Sequence, residues 1–133
     1  MNHKEEVAEL RNGLNNGLRK LNELTPMTLA ERICLDAVKR EHQINASAKI
    51  MMIFYGPDES LIEEYIEKQN GSPFKVQDET KESARKHFRD FAEDEERNLC
   101  RLRTERELLM GYIENDEQMQ TKYNELRERF PTA

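Results

Sequence analysis

From Asp78 to Phe130 the chain alternates between dense charge and a single apolar stripe. Phe88, Phe91, Ala92, Leu99, Leu102, Leu109, Met110, Ile113, Met119, Tyr123, Leu126 and Phe130 mostly follow one another at steps of three and four, the period of one helical face. The early part repeats every eleven residues (Phe88, Leu99, Met110; Phe91, Leu102, Ile113), which keeps such a stripe nearly straight. The later part repeats every seven (Tyr112, Met119, Leu126; Tyr123, Phe130), which favours left-handed coiled-coil packing. The stretch has no proline and only Gly111 as a glycine. The pattern predicts one helix over 78–130, with Asp78 as its N-cap. Pro131 disfavours helical geometry at the residue before it and ends the helix. Glu82 and Lys86, Glu93 and Arg97, and Glu125 and Arg129 stand four apart, acid first, the order that supports an exposed helix. Three stripe positions, Glu95, Arg106 and Asp116, are polar. They either reach water at the edge of the stripe or form buried pairs that fix register against a neighbouring helix.

Ahead of this segment the same period predicts shorter helices. Val7, Leu10, Leu14, Leu18 and Leu21 define the first, over about 3–24. Gly13 and Gly17 weaken it, each by roughly 1 kcal/mol relative to alanine. Two small residues four apart also let another helix come close. Thr25-Pro26 breaks the pattern, and Thr28 with Glu31 has the form of a capping box opening a second helix over about 28–55. Its stripe is Ile33, Ala37, Ile44, Ala48, Met51 and Tyr55. The short turn between the two predicts an antiparallel hairpin. The run Ile50–Tyr55 is apolar throughout and also permits a buried strand paired with 73–77, but the unbroken stripe from Ile44 favours helix. Gly56-Pro57 stops the second helix, and Asp58 opens a third over about 58–69. Phe74 and Val76 are expected to pin the following loop to the bundle. The fold class is therefore all-α: an antiparallel helical hairpin plus a short helix packed on a long C-terminal helix, a helical bundle with a coiled-coil extension. Residues 1–133 form one domain by length.

Composition removes several function classes. The formal charge is −6, against sequence-independent binding of nucleic acid. No stretch is apolar and long enough to span a bilayer. No apolar run follows the opening Met-Asn-His-Lys-Glu-Glu, so an intracellular setting, cytoplasmic or nuclear, is expected. Cys34 and Cys100 fall on partly apolar helix faces and read as buried free thiols. Neither His3, His42 nor His87 follows a glutamate by three, so the metal-ligand pair of di-iron bundles is missing. There is no zinc-protease, phosphate-loop or dinucleotide-binding motif. The acidic run Glu93-Asp94-Glu95-Glu96 points its side chains around a helix, and a calcium site wants a loop. No catalytic residue, cofactor or metal is expected, and the chain is read as a non-enzyme.

What remains is a mismatch of lengths. One helix over 78–130 would measure about 80 Å, the second helix about 42 Å and the first about 33 Å. Apolar surface without a cover usually marks a partner site. The expectation is an assembly module that dimerises or takes a partner's helices through Leu109, Tyr112, Ile113, Met119, Tyr123, Leu126 and Phe130. The alternative is a compact monomeric bundle in which the long segment folds back near Gly111 and a groove receives a peptide or helix. An enzyme or ligand carrier with a site inside the bundle is the third and least favoured class.

Overall fold

The computed structural model of the chain describes residues 2–26 and 28–132. Among them are five helices and no strand: α1 (His3–Asn22), α2 (Leu29–Tyr55), α3 (Glu59–Asn70), α4 (Lys81–Ile113) and α5 (Glu117–Arg129). The expected helical bundle is present, and Ile50–Tyr55 is helix. Each helix opens on a side chain that accepts a bond from an otherwise unpaired first-turn amide: Asn2, Thr28, Asp58, Thr80 and Asp116. Thr80, two residues later than expected, opens α4 because Ser83 answers it with a reciprocal bond to the Thr80 amide.

The largest departure is at the C-terminal segment, which is two helices. Gly111 stays helical, and the chain turns at 114–116. Polar side chains satisfy the exposed ends there. Asn115 Nδ2 donates to the Gly111 carbonyl at 2.8 Å, and Gln120 Nε2 donates to the Glu114 carbonyl at 2.8 Å. Asp116 Oδ1 accepts from the amides of Gln118 and Met119. Asp116 is thus a cap rather than a stripe residue, and the coiled-coil extension is replaced by a helix folded back on its own chain.

α2 is the central helix. α4 runs antiparallel to it, as the pairs Arg40–Glu105, Ser47–Glu95 and Phe54–Phe88 establish. α1 also runs antiparallel to α2, as expected. Its N-terminal end is tied to the start of α3 by a bond from the His3 amide to Asp58 at 2.6 Å. α5 runs parallel to α2: Cys34 meets Met119, and His42 meets Phe130. Two cores result. One gathers Leu21, Cys34, Leu35, Ala37, Val38, Ile113, Tyr123 and Leu126. The other gathers Ile62, Ala84 and Phe88, with Phe54, Leu61, Tyr65 and Ile66 against them.

Two further expectations fail. Phe74 and Val76 do not pin the α3–α4 loop; they stand 88% and 99% exposed. The loop is closed at its base instead by Asn70, whose side chain accepts from the Glu79 amide at 2.7 Å and donates to the Glu79 carbonyl at 3.4 Å. Cys34 is buried but Cys100 is exposed, because the straight stripe of α4 passes through Leu99 and Leu102 and leaves position 100 on its outer edge.

Candidate partner-binding groove

The first half of α2 is sealed by α5. Cys34 donates its thiol to the Met119 carbonyl at 3.3 Å, and burial above all pushes that thiol above its ordinary pKa. About two turns along, Glu41 receives Arg106 at 2.8 Å and the Tyr123 hydroxyl, with Arg127 at 3.5 Å. Burial, then the bond to Glu41, raises the Tyr123 hydroxyl above its ordinary value. His42 Nε2 donates to the Phe130 carbonyl at 3.1 Å. Gly17 of α1 approaches the other side of this ring, where a Cβ would stand 3.0 Å from Nδ1. The small residue therefore does allow a close helix–helix approach at Gly17, while Gly13 faces open space.

The polar residues of the α4 stripe take part in this register. Arg106 joins α2 and α5 through Glu41 and Tyr123. Glu95 accepts from the buried Ser47 hydroxyl at 2.5 Å. Both are cross-helix pairs, and the neighbour is the chain's own α2.

The partner-binding residues expected from the sequence are spent in the same way. Ile113, Tyr123 and Leu126 lie buried in the first core, and Leu109, Met119 and Phe130 pack partly buried against it. A fold-back at 114–116 supplies their cover. Tyr112 alone is exposed, at 65%, with Leu108 one turn before it at 67%.

The second half of α2 is different. Its stripe continues from Cys34, Val38 and Glu41 through Asn45, Ala48 and Met52. α5 ends at Arg129, beside His42, so these later positions lie beyond its reach. Between them and α1 is an open groove of about 720 Å³. Leu10, Gly13 and Leu14 line it from α1; Ala46, Ala48, Met52 and Ile53 line it from α2; Thr132 stands at the end nearest α5. Glu6 and Glu9 rim it on the α1 side and Lys49 on the α2 side. The groove exists because the facing residues are small. Gly13, Ala46 and Ala48 place two helices side by side without filling the space between them. By helical period Leu10, Leu14 and Ala48 fall on stripes expected in the core. The facing small residues were the available signal, but only the alignment of α1 with α2 brings Gly13 to the groove.

Among the described residues no group of three or more His, Cys, Asp and Glu is placed to hold a metal ion. No helix in them is long and apolar enough to cross a membrane. Comparison with protein-family models, curated proteins and solved structures finds no match to this chain.

Proposed function

We propose that this chain is a non-enzymatic protein-interaction module, a helical-bundle adaptor that seats an apolar segment of a partner protein in the groove between α1 and α2. The observation that carries the reading is the stripe of α2 left uncovered beyond the end of α5. A hydrophobic groove between helices is a common seat for the apolar face of a partner segment. An intracellular, reducing setting fits the two unpaired cysteines.

Selection from a random-peptide display library, with the winners mapped by amide chemical-shift changes, tests this. The expected result is apolar peptides that shift Leu10, Leu14, Ala48 and Met52. Failure to select binders, or shifts centred on other faces, contradicts it.

A second reading is favoured by Leu108 and Tyr112, one turn apart on the outer face of α4. It is self-association through that face, which would keep a homodimer with a changed interface. Light scattering across a concentration series checks it: dimer mass that Leu108→Ser with Tyr112→Ser abolishes supports it, and a constant mass near 15.8 kDa refutes it.

A further inference from the structure

The groove is the continuation of a seat that already holds a helix. α5 lies on α2 over Cys34 to His42, then stops, and the same α2 stripe runs on as Asn45, Ala48 and Met52. From Asn45 to Ile53 the open stretch measures about 12 Å along α2. Its floor is low at Gly13, Ala46 and Ala48. Such a floor receives large side chains from above. The rim is not electrically uniform. Glu6 and Glu9 stand on the α1 edge, and among the described residues neither is held in an ion pair. Lys49 rises from the α2 side, on the helix face between Ala46 and Ala48, and beyond Asn45 and Ala48 the α4 side carries Arg103, Arg106 and Glu107.

Resting on the reading of the groove as the recognition site, we propose that its occupant is a short amphipathic helix of a partner protein. It lies in line with α5, drops large apolar side chains at i, i+4 and i+7 onto the alanine floor, and carries Lys or Arg on the edge that faces α1. The in-line seat argues for helix over extended peptide. A helix has already been accommodated on this stripe of α2, and an extended peptide would find no strand edge here to pair with. The two carboxylates argue for the cation and set its side. Two to three turns fill the length available.

Three synthetic 14-residue peptides test it by calorimetry against the full chain. The first has leucines at that spacing and arginines along one flank. The second replaces a central residue by proline, and the third carries glutamates in place of the arginines. The expected result is that the first binds, that the proline peptide binds at least about tenfold more weakly, since proline breaks the helix, and that the acidic peptide is also weaker. Glu6→Gln with Glu9→Gln should erase the difference between the basic and acidic peptides while leaving the fold intact by circular dichroism. Equal binding of the proline peptide at the same groove residues overturns the helical occupant and leaves the groove reading standing. Binding at another face, or none with any apolar peptide, overturns both. A concentration-dependent dimer whose interface maps to the groove overturns the proposal in favour of a second copy as occupant.

Discussion

The two halves of α2 carry one continuous stripe and meet opposite fates. Over Cys34 to His42 the stripe is covered by α5, and its polar members are matched: Glu41 to Arg106 and Tyr123, His42 to the Phe130 carbonyl. At Asn45, Ala48 and Met52 the same stripe looks into a groove. Helical periodicity is equal in the two halves, so periodicity does not decide what is buried. Two other properties do. One is how far the covering chain reaches, and α5 ends at Arg129. The other is the size of the facing side chains, bulky in Leu21 and Leu126 on the sealed side, small in Gly13 and Ala46 on the open one.

Substitutions of one kind in the two halves should separate most sharply for a buried charge. Leu126→Asp places an unpaired carboxylate in the sealed core and should cost on the order of 4 kcal/mol in urea unfolding. Ala48→Asp, in the groove, should stay within about 1 kcal/mol. Similar losses at the two positions would mean that the halves are equally closed.

Next in size is the polar seal. Glu41→Ala leaves the Arg106 guanidinium and the Tyr123 hydroxyl without their shared acceptor, and should cost about 1–3 kcal/mol. Tyr123→Phe should cost less, about 1 kcal/mol, and should also change the response to alkali. The Tyr123 hydroxyl has its ordinary value at 10.0 in the unfolded chain, and burial raises it in the fold. The folded state therefore keeps the proton longer. This contribution is complete below pH 10 and is lost as pH rises through the raised folded value. Unfolding curves taken from neutral pH upward should fall less steeply in Tyr123→Phe than in the parent, although Tyr65, raised by the same cause, keeps some slope. An unchanged slope would remove Tyr123 from the seal.

The smallest effect compares the two glycines of α1. Gly13 faces open space, so Gly13→Ala should recover most of the helical advantage of alanine, about 1 kcal/mol. At Gly17 the added methyl would stand 3.0 Å from His42 Nδ1, on a ring already held by the Phe130 carbonyl. Gly17→Ala should recover clearly less, or destabilise. Thermal unfolding of the two variants decides it; equal gains would contradict the close approach of α1 to α2.

Most of the fold is legible in the chain. Thr28, Asp58 and the Gly56-Pro57 stop mark boundaries within a residue or two, because caps and breakers act locally. The fold-back was hidden for a different reason. A seven-residue spacing runs through Tyr112, Met119 and Leu126 whether or not the helix is continuous, since a turn of three residues leaves the spacing almost unchanged. Asn115-Asp116 carried the signal, because Asp116 is a strong cap and Asn115 closes the preceding helix through Gly111. With Asp116 read as a stripe residue, the apolar positions after it seemed to lack a cover that α2 in fact provides. The groove was less legible still. It depends on which residues of α1 face which residues of α2, and that alignment is fixed at a distance, by Gly17 against His42 and by His3 against Asp58.

The proposed recognition by the open half of α2 is separated from recognition by the outer face of α4 by the affinity of one display-selected peptide for the parent chain, for Ala48→Arg, and for Leu108→Ser with Tyr112→Ser. A loss of at least about tenfold is expected for Ala48→Arg, which is about 1.4 kcal/mol, and no more than about twofold for the α4 pair. The reverse order, with the α4 pair abolishing binding and Ala48→Arg leaving it intact, would contradict it.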